Sequence, residues 1–215
     1  QYDYIRYPYF DGTTDYGYDE ASRKLFAEET GLDESVVDEI ATQLRSHPNW
    51  NDWVNFKVNL IHKRVQQFTE MIRSYRPDIY ISAAVANDTG KELYCQDSSV
   101  WMENGWVDGI YPMSYAEGIM GNATKKFSGY LTDKTFLVMG NGAYMSLTFD
   151  EMFLQTNQTA IHGADGIAYF EWGAYVDHGY AKQFAETEFK KPALSFTQKE
   201  SESIKALVGM AKERL

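Results

Sequence analysis

Short apolar runs separated by helix-length stretches constrain this chain more than any other feature. The runs lie at 2–9, 79–86, 107–115, 135–141 and 165–172 and are rich in Ile, Val, Tyr and Ala. Such runs, bounded by turn residues, read as strands buried on both faces. Between them the apolar positions recur at helical spacing. Trp53, Phe56, Leu60, Ile61, Val65, Phe68 and Ile72 form one stripe that stops before Pro77. The stretch 19–30 ends at Gly31, 97–104 at Gly105, and 177–189 runs up to Pro192. Thr148-Phe-Asp-Glu151 and Thr197-Gln-Lys-Glu200 are capping boxes that open two more helices. Alternating strands and helices need crossover connections, so the strands pair in parallel and the helices cover the sheet.

With 44% hydrophobic and 24% charged residues in 215, the chain has ample apolar material for one core. No composition shift, repeat or low-complexity tract marks a linker, so 1–192 reads as one unit. Residues 193–215 read as a joint and a terminal helix packed on it. Twenty Lys and Arg against 31 Asp and Glu leave a net charge of −11, which repels a phosphate backbone and disfavours nucleic-acid binding. A single cysteine, Cys95, rules out an internal disulfide framework and a Cys-rich zinc site. The four histidines show no metal-like spacing, and no cofactor is implied. No apolar run reaches the roughly 18 to 20 residues of a membrane span. Aromatics, at 15%, are abundant. Tyr and Trp combine an apolar face with a polar tip, which suits sugar rings as well as cores.

In a parallel α/β sheet, function gathers on the loops after the C-terminal strand ends. Read that way, the first run delivers Asp3, Arg6, Tyr7 and Tyr9, and the second Asn87 and Asp88. The third delivers Tyr115 and Glu117, the fourth Asn141 and Tyr144, and the fifth Glu171, Trp172 and Tyr175. Carboxylates, amides and aromatics at one mouth match the needs of glycoside hydrolysis, in which two carboxylates flank the scissile bond.

Tyr2-Asp-Tyr-Ile-Arg-Tyr-Pro8, Tyr18-Asp-Glu-Ala-Ser22, the Trp50/Trp53 helix and Ile81-Ser-Ala-Ala-Val85 resemble the glycosyl-hydrolase-10-like family. So do Trp106-Val-Asp-Gly-Ile-Tyr-Pro-Met-Ser-Tyr115 and Gly166-Ile-Ala-Tyr-Phe-Glu-Trp172. The resemblance covers the chain to about Phe189. It implies a (β/α)₈ TIM barrel in a secreted or envelope-associated bacterial protein acting on an extracellular or cell-wall polysaccharide. It also makes the five runs here strands four to eight of that barrel. A barrel lacking its first three units leaves sheet edges open, so self-association or capping by the helix at 198–215 is expected.

Asp3 then reads either as a structural ion-pair partner of Arg6 or as an active-site carboxylate, nucleophile or electrostatic stabiliser; the resemblance favours the second. Glu171, between Phe170 and Trp172, reads as the proton donor if an apolar pocket raises its pKa, and otherwise as a solvent-facing loop residue. Asp88 and Glu117 are alternatives for either role. Arg6, Tyr7, Asn87, Asp88, Tyr115, Glu117, Asn141, Tyr144 and Trp172 are the expected substrate contacts, with Trp172 a stacking platform. A catalytically dead carbohydrate-binding barrel would use the same residues, and an unrelated open five-stranded α/β sheet remains a second rival.

Overall fold

The structure, a computed structural model, describes residues 1–87 and 91–190. Four strands, β1 (Ser82–Ala86), β2 (Gly109–Met113), β3 (Phe136–Gly142) and β4 (Gly166–Phe170), form one parallel sheet in the order β1-β2-β3-β4. Register runs from Ser82 opposite Gly109 and Gly109 opposite Phe136 to Gly142 opposite Phe170. Helices α1 (Glu20–Thr30), α2 (Ser35–Gln43) and α3 (Trp50–Tyr75) precede β1. Short α4 (Lys91–Tyr94) and α5 (Ser98–Glu103) join β1 to β2, and α6 (Met120–Ser128) joins β2 to β3. Then α7 (Phe149–Ile161) leads to β4, and α8 (Trp172–Asp177) and α9 (Tyr180–Glu186) follow it. This α/β arrangement of sequential βα units is compatible with part of a TIM-type barrel.

The helix ends obey their sequence signals. The Asp19 carboxylate accepts from the Ser22 N–H at the start of α1, and Gly31 closes it in the left-handed conformation at φ 73°. Thr148 and Glu151 form the full capping box on α7. The long α3 stops at Tyr75, two residues before Pro77. Its second half packs on the sheet with α5 and α6, where Val65, Ala83, Val85, Trp101, Ile110, Phe127, Leu137 and Met139 share one core. No described helix is long and apolar enough to cross a membrane.

Aspartates at the N-terminal strand ends hold the register. Asp108, just before β2, accepts the Ile81 N–H at 2.7 Å and a hydrogen bond from Arg73 Nη2 at 2.8 Å. Asp165, just before β4, accepts the Leu137 N–H at 3.0 Å. Each carboxylate occupies a backbone donor of the preceding strand and so pins the start of its own.

The expected first strand is the main departure. Only Tyr2 pairs with the sheet, in a parallel bridge to Ala83, its N–H donating to Ser82 O and its carbonyl accepting from Ala84 N. Tyr4 then takes a positive φ of 52°, which ends the extended run. The donors of Tyr7 and Phe10 go to the carbonyls of Tyr94 and Leu93 at the end of α4 instead of a neighbouring strand. The segment expected as a terminal helix, at 198–215, lies outside the described residues, as does Asp88.

A second core forms where α1 and α2 pack on the first half of α3, around Phe10, Phe26, Ile40, Trp50, Trp53 and Phe56. Its centre is an ion pair. Lys57, 1% exposed, reaches both carboxylate oxygens of Asp15 at 2.6 and 2.7 Å. Trp53 Nε1 and Tyr18 Oη also donate to Asp15. Tyr7, Trp50 and Trp53 rings lie within 6 Å of the ammonium. Removing one partner strands a buried charge, so Lys57→Met should cost about 3 to 5 kcal/mol in urea unfolding. The Lys57→Met/Asp15→Asn double variant should recover part of that loss.

Candidate functional site

Side chains alternate across each strand, so the face opposite the helix-packed core carries Tyr111, Met113, Gly140, Gly142, Ala168 and Phe170. At its C-terminal edge three rings meet. Tyr115 stacks on Phe170 at 5.6 Å with planes 14° apart, and Tyr144 stands edge-on to both at 5.6 and 5.9 Å. Burial, reinforced by the neighbouring Tyr144 and Asp3, pushes the Tyr115 hydroxyl up to about 12. Phe170 is 55% exposed and Trp172 72%, so the cluster presents aromatic faces to solvent. Two glycines make the space. A Cβ on Gly142 would lie 2.7 Å from Tyr115 Cβ, and one on Gly140 would lie 2.9 Å from the Pro112 carbonyl.

The N-terminal segment brings its polar groups to the same mouth. Asp3, Tyr4 and Arg6 all lie within electrostatic reach of the Tyr115 hydroxyl. Asp3 is exposed and accepts from its neighbour, the Tyr4 N–H, at 2.7 Å. No ion pair joins it to Arg6 among the described residues, so the structural-pair alternative finds no support in the geometry. Arg6 instead lies between two rings, 5.1 Å from the Tyr4 centroid and 4.6 Å from that of Tyr94.

Several expected contacts sit elsewhere. Asn141 is fully buried and donates to Gln155 Oε1 on α7 at 2.9 Å, so it faces the helices and not the mouth. Its position on the strand alternates with Gly140 and Gly142, and that parity decides it. Tyr7 packs into the second core beside Lys57, and burial raises its hydroxyl to about 12. Asn87 lines a cavity of about 250 Å³ with Asn122 and Lys126. Glu117, exposed, approaches the Glu151 carboxylate at the start of α7. A larger cavity, about 680 Å³, opens at the opposite, N-terminal strand ends between Arg73, Tyr80, Asp108 and Phe136. That cavity also carries aromatic and charged side chains, Tyr80, Phe136, Asp133 and Lys134, but it lies at the end of the sheet opposite the loops on which function gathers in parallel α/β folds. Among the described residues no group of His, Cys, Asp and Glu could hold a metal ion.

Glu171 does not sit in an apolar pocket. Its exposed carboxylate caps α8, accepting the N–H groups of Gly173 and Ala174 at 2.9 Å each. Those donors hold its pKa below the usual glutamate value, opposite to the elevation expected from its flanking aromatics. Asp3 and Glu171 also lie on opposite flanks of the sheet, one beside β1 and one after β4. Four strand spacings amount to about 19 Å along a flat sheet, and only curvature shortens that. Phe170, Tyr4 and Tyr94 were absent from the expected contacts. Phe170 alternates with the helix-facing Tyr169, and this period-two pattern is the signal that marks it.

A sequence model described as glycosyl hydrolase-like 10 matches residues 3–135. The chain belongs to the glycosyl hydrolase-like 10 family. No curated protein and no solved structure matches it by the same standard. The matched span covers Asp3, Arg6, Asn87, Tyr115 and Glu117 and ends before Tyr144, Phe170 and Glu171.

Two outcomes follow. Gly142→Ala should displace Tyr115 and cost about 1 to 3 kcal/mol in chemical denaturation, as overpacking does. Glu171→Gln keeps the cap acceptor but removes its titration. Because the folded pKa is depressed, the Glu171 charge stabilises above the unfolded value of 4.5 and is lost as pH falls through the folded one. Unfolding midpoints followed downward past that pH should fall more steeply for the parent than for the variant. Parallel curves would remove the capping role.

Proposed function

We propose that the mouth binds a polysaccharide and that the chain belongs to a glycoside hydrolase, a barrel of which β1 to β4 and the Tyr2 bridge supply strands four to eight. The observation that carries this is the cluster of Tyr115, Tyr144 and Phe170 at the C-terminal strand ends, with the exposed carboxylate of Asp3 within electrostatic reach of Tyr115, in a glycosyl hydrolase-like 10 chain. Pyranose rings present C–H faces that stack on such rings, while the phenol tips meet hydroxyls. Asp3 is the proposed nucleophile or stabiliser of the oxocarbenium-like transition state, for which an ionised carboxylate is needed. Trp172, exposed and next in sequence but one to Phe170, is the proposed stacking platform at the rim. An extracellular or cell-wall polysaccharide fits the acidic, aromatic-rich surface.

One observation favours the second reading, a carbohydrate-binding barrel without turnover. Glu171 is held ionised by its two cap hydrogen bonds, whereas a proton donor needs a raised pKa. Under the hydrolase reading, Glu171 must leave the cap to protonate the leaving oxygen, or another carboxyl, Glu117 or Asp88, does so.

Reducing-end release from cell-wall and plant polysaccharides, with binding followed in parallel, separates the readings. The hydrolase reading expects Asp3→Asn to lower turnover at least about a hundredfold while binding is retained, the usual scale for one acid–base or nucleophilic group. Binding with no release by the parent protein would establish the binding module.

A further inference from the structure

Arg6 stands apart from four of the described arginines, which meet carboxylates, and from Arg64, which donates to Gln67 Oε1. Arg23 meets Asp38, Arg45 meets Glu92, Arg73 meets Asp108 and Arg76 meets Asp78. Arg6 has no carboxylate within ion-pair distance among the described residues, although Asp3 lies three residues away at the same mouth. Among the described residues its guanidinium lies over the Tyr4 and Tyr94 rings. An arginine stacked this way has its faces occupied and its edge free. The edge carries the N–H groups, in a fork that matches a carboxylate.

The surroundings fix the backbone at Arg6, and the two rings confine its side chain. The Arg6 N–H donates to Tyr4 O, Tyr7 N–H donates to Tyr94 O, and Gln96 donates to the carbonyl of Ile5. Tyr94 is further braced by Tyr9, whose ring lies 5.4 Å away and is half exposed. Little side-chain freedom remains to be lost when a ligand binds.

We propose that the glycan taken by this mouth is acidic, and that Arg6 receives a sugar carboxylate. The inference deepens the carbohydrate reading above and rests on it. The exposed Tyr4 and Tyr9 rings carry the sugar ring next to the charge, and the Arg6 fork fixes the carboxylate in two parallel hydrogen bonds. A net charge of −11 repels polyanions in general, so retention of an acidic glycan requires a local cationic receptor of this kind.

The test is affinity electrophoresis of the full chain through gels containing paired polymers. The pairs are polygalacturonate against its methyl ester, and carboxymethylcellulose against hydroxyethylcellulose. Within a pair the backbone is kept and the carboxylate removed. The inference expects an acidic member to retard the protein more than its neutral partner. Arg6→Gln should abolish that difference, weakening retention about tenfold or more, and Arg6→Lys should restore only part of it, because a point charge lacks the fork. Circular dichroism of both variants confirms folding, and Tyr9→Ala, which leaves the guanidinium intact, should weaken both members alike. Retardation by the neutral member equally, or preference surviving in Arg6→Gln, overturns the acidic-sugar inference and leaves the glycan reading standing. Retardation by none of the four polymers overturns both.

Discussion

What the N-terminal segment presents at the mouth hangs on a charge buried some way behind it. Lys57 enters the molecule on the third turn of α3 and is tied to Asp15 on the loop that precedes α1. That tie joins the Tyr2 bridge, the bonds to the end of α4, the Gln96–Ile5 bond and the packing of Phe10 in holding the first nineteen residues in place. The aromatic surroundings of Lys57 serve two ends. They exclude water, which strengthens the attraction to Asp15, and they offer ring faces to the ammonium. Gly17, at φ 98°, has room for no Cβ because the Tyr7 ring would lie 2.9 Å away, so the loop closes over Tyr7 only with glycine at that place. Tyr7 thus belongs to the anchor, and its neighbour Arg6 is the part that reaches out.

The sheet itself divides labour by parity. One face of each strand is filled by Ala83, Val85, Ile110, Leu137 and Met139 against helices. The other is built from small residues interrupted by Tyr111, Tyr115 and Phe170. Small residues at Gly140 and Gly142 allow Tyr115 to lie across the strand ends and meet Phe170, so the mouth owes its shape to missing side chains as much as to those present. Glu171 shows the counterpart. A residue that follows an exposed aromatic strand end and precedes a helix is taken up by the helix, because the first N–H groups of α8 lack partners and a carboxylate satisfies two at once.

How far the sequence could be read follows from the range of the interactions involved. The four paired strands, α3 and the capped helices α1 and α7 were legible because their signals are local: period, cap and stop. The first strand was misread because the apolar run 2–9 has strand composition, while its fate was decided by partners ninety residues away at Leu93, Tyr94 and Gln96. Asn141 was assigned to the mouth by its place at a strand end, yet its parity matches Met139 and sends it to Gln155. The ionisation of Glu171 was misjudged for a similar reason. Its flanking aromatics were visible, but the two N–H groups that set its pKa depend on where α8 begins. The Asp-Gly-Ile triplets at 108–110 and 165–167 were in plain view, and their register-setting use emerges only once Ile81 and Leu137 are seen to donate to them.

The order β1-β2-β3-β4 is also the order of synthesis. Each strand therefore finds its partner already made when it emerges, and no strand must wait for a later one before pairing on one side. Contacts of modest sequence separation close small loops, which keeps the entropic cost of each step low. The Asp-Gly-Ile triplets act at the right moment in such a scheme, since each carboxylate seizes a backbone donor of the strand before it at the first residue of the new one. A topology of this kind lets the sheet be built by accretion, one βα unit docking on the last.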